Sequence, residues 1–414
     1  MSDASRTVDE PARGPLAGIR VVELASVIMA PYAGQILGDL GADVIKVEHD
    51  IIDNSRLMGG GPHPELSGIA LNLHRNKRSL GLDVKTPEGL EVLLRLLATS
   101  DVFITNVRPS ALARLKVSYD DLAESMPRLV YCQSQGFATG SVDEDRPAYD
   151  DIIQAMTGLP WLNQEVLDTT AFVPTLIGDK VAGLTIAYAV LAALVHRERT
   201  GQGQRVEVPM FNSVLSFNLV EHLSRAAIEG GAAGYGRIMS SKRGPHRTRD
   251  GYVAIMPYTD ANWQSLCRAI DRMDVLERPW FASYETRIRE ADRVFGDLAE
   301  IVAERTTKEW LEICERYDIP ASAVSSLDDV VNDTALNRGV IATASHPVVG
   351  EYREIAPPVT MSKTPTSIRR PAPLVAQDTR EILDELGYSS EDVTSLIGRG
   401  VAGVANERTS PDVA

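Results

Sequence analysis

The sequence predicts an α/β fold, a doubly wound Rossmann-like large domain joined to a smaller α+β domain. Three observations predict it. Short β-branched runs alternate with stretches of helical spacing through the first half. A Gly-, Arg- and Ser-rich connection, Ala232 to Thr248, then interrupts the pattern. A second strand-and-helix composition follows it. At 414 residues the chain has room for two or three domains, at roughly 100–200 residues each.

The elements follow in order. "IRVVEL" (Ile19 to Leu24) reads as a strand, "APYAGQILGDLGA" as a helix and "DVIKVE" (Asp43 to Glu48) as a second strand. Strand, helix, strand is a βαβ unit and implies a parallel sheet. "TPEGLEVLLRLLATS" starts a helix with Thr86 as N-cap and Pro87 at the first helical position. "DVFITN" (Asp101 to Asn106) is the next strand, followed by helical "PSALARL" and "YDDLAESMP" and the strand "LVYCQSQ" (Leu129 to Gln135). Leu184 to Arg199 begins apolar on all sides, the pattern of a buried helix. "QRVEVPM" returns as a strand, and a long helix ends at Gly230 and Gly231. The reading divides the chain into a disordered lead-in (1–15), a large domain (16–230), a linker with the small domain (231–330), a segment returning to the large domain (331–404) and a disordered tail (405–414).

Composition excludes several functions. The net charge of −15 argues against nucleic-acid or anionic-membrane partners, which select basic faces. Three cysteines, Cys132, Cys267 and Cys314, form no CxxC pair, and the seven histidines form no HExxH, so no metal site is expected. The longest apolar run, Ile186 to Val195, is too short to span a bilayer, and the polar N-terminus lacks the apolar core of a signal peptide. A soluble, cytoplasmic protein is expected. The first strand leads into "ASVIMAPYAG" with no GxGxxG, so the dinucleotide fingerprint is absent.

One acid stands out. In "TLIGDKVAGLTIAYAVLAALVHRERTGQG" (Thr175 to Gly203), Asp179 opens a very apolar run, with Gly178 before it and Gly183 after. The residues leave two readings open: a helix N-cap, or a carboxylate placed to react.

Three stretches together resemble the family III CoA-transferases, which include the α-methylacyl-CoA racemases. They are "LAGIRVVELASVIMAPYAGQILGDLGADVIKVE", "NKRSLGLDVKTPEG" and "GDKVAGLTIAYAVLAALVHRERTGQGQRVEVPMF". "GYVAIMPYTDANWQSLC" and "DELGYSSEDV" resemble later segments, so the likeness runs from about Leu16 to Val401. The resemblance implies that Asp179 is a nucleophile attacking an acyl-CoA thioester, giving an aspartyl anhydride and then an aspartyl-CoA thioester. The following helix's positive end would favour the anion. Gly178 would leave room for the thioester, with backbone N–H groups stabilising the oxyanion. The substrates implied are an acyl-CoA and a carboxylic acid, with the coenzyme A thioester as substrate, no tightly bound cofactor and an interlocked homodimer.

For CoA the basic cluster "HRNKRS" (His74 to Ser79), with Lys85, Arg108 and Arg114, offers phosphate contacts; a solvated basic face is the alternative. The resemblance points to His49, Arg78, Leu82, Lys85, Asn106 and Arg114. His49 stands where formyl-CoA transferases carry an Arg that stacks on adenine. Asn106 closes a strand, where open α/β sheets bind ligands.

"RPAYDDIIQAMTGL" separates transferase from racemase. Racemases carry His directly before the Asp, whereas this chain has Tyr149 before Asp150. A phenol titrates at about 10 in water and is a poor base at neutral pH, which favours transfer. Tyr149 also reads as a half-buried aromatic with a bonded hydroxyl, and Asp150 and Asp151 as caps of the next helix. Ile28 and Met29, where some relatives have Gln at the first position, predict an acyl group less polar than formate or oxalate. There is no tetraglycine loop; residues 230–248, with Arg237, Lys242, Arg243 and Arg247, are the candidate substrate loop.

Overall fold

The computed structural model describes residues 14–49 and 53–405. The expected disordered lead-in (1–15) and tail (405–414) lie outside them except for residues 14, 15 and 405. The chain forms two compact units. Of the described residues, the first holds those up to 156, 174–215 and those from 338 on, and the second holds 157–173 and 216–337. Residues 157–173 and 216–230 thus fall in the second unit rather than in the large domain.

In the first unit β1 (Arg20–Leu24), α1 (Met29–Asp39), β2 (Asp43–Glu48), α2 (Gly68–Leu73) and β3 (Lys77–Gly81) come first. Then follow α3 (Pro87–Ala98), β4 (Val102–Thr105), α4 (Pro109–Leu115), α5 (Tyr119–Leu122), β5 (Val130–Gln135) and α6 (Asp150–Met156). The second unit contributes α7 (Leu159–Leu167), and the first resumes with α8 (Ile177–Thr200) and β6 (Arg205–Pro209). The six strands make one sheet in the order β3-β2-β1-β4-β5-β6, every neighbouring pair parallel. Val22 stands beside Ile45 on one side and Phe103 on the other, and these three join Leu93, Leu96 and Tyr131 in a dry core under α3. Strand residues alternate between faces. α1 and α8 pack against each other, with α1 on β2 and α8 on β5 and β6.

β3 has no apolar signature. Its sequence is KRSLG, and all five residues are buried. As an edge strand it is covered by the C-terminal segment. Ser79 N–H donates to Asp378 Oδ2 at 2.8 Å, Gly81 N–H to Thr379 Oγ1 at 3.0 Å, and Gly403 N–H to the Gly81 carbonyl at 3.0 Å.

α8 differs from the all-round buried helix expected. One side is buried, while Leu184, Tyr188 and Val195 are each more than half exposed. By length and composition alone α8 is apolar enough to cross a membrane, although the longest uninterrupted apolar run read as too short. Its buried side packs on α1 and on two strands, which is the placement of a core helix.

α9 (Met210–His222) leads into the second unit, where β7 (His246–Arg247), β8 (Tyr252–Ile255) and, further on, β9 (Ala321–Ala323) form a small antiparallel sheet. Between β8 and β9 lie α10 (Asp260–Ala269), α11 (Tyr284–Arg289), α12 (Ala291–Val302) and α13 (Thr307–Arg316). Val253, Trp263, Phe295, Leu298 and Trp310 make this unit's own core.

Candidate active site

β1 and β4 are neighbours from which the sheet winds in opposite directions, so their C-terminal ends form a topological switch point. Asn106, just past β4, ties the two loops there. Its amide donates to the Ser26 carbonyl at 2.8 Å, and its oxygen accepts the Ser26 N–H at 3.1 Å. Two recesses flank this tie and share Ser26, Val27, Asn106 and Val107. The larger, about 320 Å³, reaches Met29, Arg108, Gln135, Tyr149, Asp179 and Met210. The other, about 290 Å³, reaches Lys46, Glu48, His49 and Asp53.

Asp179 is the third residue of α8, whose N-cap is Leu176, so the plain N-cap reading does not hold. Its side chain lines the larger recess at 7% exposure, and no hydrogen bond to it is found among the described residues. Beneath it sits Asp150, the first residue of α6. Asp150 Oδ1 accepts the Asp179 N–H at 3.0 Å, and Oδ2 accepts the Gln154 amide at 2.6 Å. Burial first, and then the Asp150 charge, push the Asp179 carboxyl up to about 7. The helix terminus favours an anion, but the Asp179 amide is engaged by Asp150 and is not open to an oxyanion.

The two glycines of the motif serve packing. A Cβ on Gly178 would lie 3.0 Å from Asp150 Oδ1 and 3.4 Å from Met210 Sδ, so Gly178 makes room for that carboxylate. A Cβ on Gly183 would lie 2.7 Å from the Met29 carbonyl, so its absence lets α8 close on α1. That approach sets Met29 beside the recess holding Asp179.

Among the expected residues, Tyr149, Asn106, Asp179 and His49 come to the switch point. Tyr149 is 69% exposed rather than half-buried. His49 Nε2 lies 3.6 Å from Asp83, and exposed Lys85 donates its N–H to the same Asp83 side chain, so these two share one edge. Four expectations need correction. Arg78 is not at the recesses: its guanidinium is buried against Asp43, Glu381 and Glu385. Leu82 is a core side chain at 1% exposure. Ile28 is buried, and Val27 and Met29 line the recess in its place. The basic run from His74 to Ser79 is neither a solvated face nor a phosphate cradle. Arg75 pairs with Asp39 and Lys77 with Glu23, all inside the unit. Arg114 is exposed in the last turn of α4 and lines neither recess. Arg243 belongs to the second unit, where it is exposed and its N–H donates to the Ser240 carbonyl.

Sequence reasoning missed Asp150 as the partner of Asp179, because the two stand 29 residues apart. It also missed Val27, a β-branched residue at φ 67°, a conformation costing of order 1–3 kcal/mol. No sequence signal marks either. Among the described residues no cluster of three or more His, Cys, Asp or Glu is placed to hold a metal.

A family model described as CoA-transferase family III matches residues 16–379. Human succinyl-CoA:glutarate CoA-transferase is 28% identical over 395 residues, covering 94% of this chain and 90% of that protein. The succinyl-CoA–L-malate CoA-transferase beta subunit of Chloroflexus aurantiacus is 32% identical, covering 94% of this chain and 98% of that protein. Among solved structures, Rv3272 from Mycobacterium tuberculosis superposes with a TM-score of 0.77 at 26% identity, covering 89% of this chain and 99% of that one. A CaiB/BaiF family protein from Brucella suis gives 0.74 at 26% identity, covering 90% of this chain and all of that one.

Proposed function

The chain belongs to CoA-transferase family III, and from that premise we propose that it moves CoA from an acyl-CoA donor to a carboxylic acid acceptor through Asp179. The observation that carries the reading is the Asp179 carboxylate, unbonded and facing a recess at the switch point of the sheet. Its raised pKa makes the anion a stronger nucleophile than an ordinary carboxylate while leaving much of it ionised at neutral pH.

The steps balance without a cofactor. Asp179 attacks the thioester carbonyl, forming a mixed anhydride and releasing CoA thiolate. The thiolate attacks the Asp179 carbonyl, giving the aspartyl-CoA thioester and the free donor acid. The acceptor carboxylate then attacks that thioester, and the returning thiolate takes the acceptor's acyl group, freeing Asp179.

In this reading the nucleotide end of CoA lies in the recess beside His49 and Lys85, and the thioester in the recess beside Asp179. Arg108, exposed on the larger recess, and Arg114 would meet phosphate. Val27, Met29 and Met210 flank the reacting end, which favours an acyl group less polar than formate or oxalate. Arg243 and the rest of residues 230–248 remain the proposed substrate loop. The exposed apolar stripe Leu184, Tyr188, Val195 on α8 supports a homodimer, and three free buried cysteines suit the cytoplasm.

The racemase reading needs a second acid/base opposite Asp179. Tyr149 holds the place of the racemase histidine, and no histidine is among the residues lining the larger recess. A panel of acyl-CoA donors and carboxylic acids, followed by mass spectrometry of the CoA products, tests the proposal. A new acyl-CoA bearing the acceptor's carbon skeleton is expected. Oxalate as the best acceptor would refute the substrate preference.

A further inference from the structure

The wall shared by the two recesses is held by a set of buried charges that the transfer steps do not use. Val27 sits there in the left-handed region, which is unfavourable for a β-branched side chain and persists only where its surroundings over-determine it. Asp53 supplies that hold. Its Oδ1 accepts the Val27 N–H at 2.9 Å and the Ser55 N–H at 3.0 Å. Its Oδ2 takes Lys46 Nζ at 2.9 Å. Lys46 also donates to the Ala25 carbonyl at 2.7 Å and to Glu23 Oε1 at 3.2 Å. The other oxygen of Glu23 takes Lys77, which donates to the Pro31 carbonyl at 2.7 Å in the first turn of α1. The β1–α1 loop is therefore tied at Ala25 and Val27 and again at Pro31 by four side chains with almost no exposure. Apolar residues of equal volume often match or exceed the stability of such a set. They would offer the Val27 amide no acceptor.

We infer that Asp53, anchored by Lys46, is a positioning residue that fixes Val27 in its left-handed conformation and so shapes the ridge over which the CoA thioester passes from one recess to the other. The role in turnover rests on the CoA-transfer reading; the hold on Val27 does not.

The test compares Asp53→Ala, Asp53→Asn, Val27→Gly and the combination of Asp53→Ala with Val27→Gly, in the full chain. Hydrogen exchange of the segment 25–29 is read beside kcat and KM for an acyl-CoA donor. Asp53→Ala is expected to speed exchange there and to lower kcat/KM about tenfold to hundredfold. Asp53→Asn, which keeps the acceptor oxygen, loses less. Val27→Gly added to Asp53→Ala recovers part of the loss, because glycine takes a positive φ unaided. Unchanged exchange in Asp53→Ala, or a double variant no better than Asp53→Ala, would overturn the inference. If Asp53→Ala does not fold, Asp53→Asn takes its place and the same rescue by Val27→Gly is required. A wild-type protein inert toward every acyl-CoA would sink the transfer reading, and the exchange comparison would still decide what Asp53 does.

Discussion

The Asp150 carboxylate accepts the backbone N–H of Asp179 at 3.0 Å, so the proposed nucleophile stands over a second acid rather than beside a cation. The arrangement anchors the first turn of α8 and at the same time works against the ionised nucleophile. Burial is the larger of the two causes that raise the Asp179 carboxyl to about 7, and the Asp150 charge is the second.

The pH profile should show this directly. Only the anion attacks, so kcat/KM should rise with pH through an acid limb near 7. Asp150→Asn keeps an oxygen for the Asp179 amide and removes the charge. Its limb should move to lower pH by about one unit, not all the way to an ordinary carboxylate, because burial remains. An unmoved limb would assign the titration to another group.

Stability should respond with the opposite sense. Asp179 titrates at about 7 in the folded chain and near its ordinary value of 3.8 when unfolded. Between those values the folded state binds more protons, so stability falls as pH rises. Asp179→Asn should therefore leave stability nearly unchanged near pH 4 and raise it at pH 8, by a few kcal/mol at most, at about 1.4 kcal/mol per pH unit, with Tm moving in the same sense. Thermal melts at the two pH values decide it.

Arg78 and Arg108 should separate folding from binding. Arg78→Ala leaves Asp43 and Glu385 with Arg20 and Glu381 with Arg370, all three partly exposed, and should destabilise by about 1–3 kcal/mol with KM for acyl-CoA unchanged. Arg108→Ala should leave stability within about 0.5 kcal/mol of wild type and raise that KM, with a smaller salt dependence. Denaturation and steady-state kinetics on both variants check the split.

How far the sequence carried is clearest in the sheet. β1, β2, β4 and β5 are short apolar runs between turn signals, and each lies within about a residue of where the pattern puts it. β3 hides because its Lys, Arg and Ser are buried by partners far along the chain: Glu23, Asp43, Glu48 and Asp378. No local pattern reports pairing at that range, so a buried charged strand reads as a basic surface. The same holds for the site. Asp179 was legible through its motif, whereas Asp150, Val27 and Asp53 act through contacts that only the fold creates.

The stripe on α8 gives a prediction about assembly. Leu184 and Tyr188 are 52% and 63% exposed, one helical turn apart. Light scattering should report a dimer, and Leu184→Glu with Tyr188→Glu should shift it toward monomer. A wild-type monomer would contradict the proposed assembly.

In the proposed transfer Asp179 itself becomes acylated and then thioesterified. Incubation with acetyl-, succinyl- or propionyl-CoA, quenching with hydroxylamine and peptide mapping by mass spectrometry test it most directly. A hydroxamate on Asp179, absent in Asp179→Ala, is expected. No adduct with any donor, together with solvent deuterium entering the α-carbon of a 2-methylacyl-CoA, would contradict it in favour of racemisation.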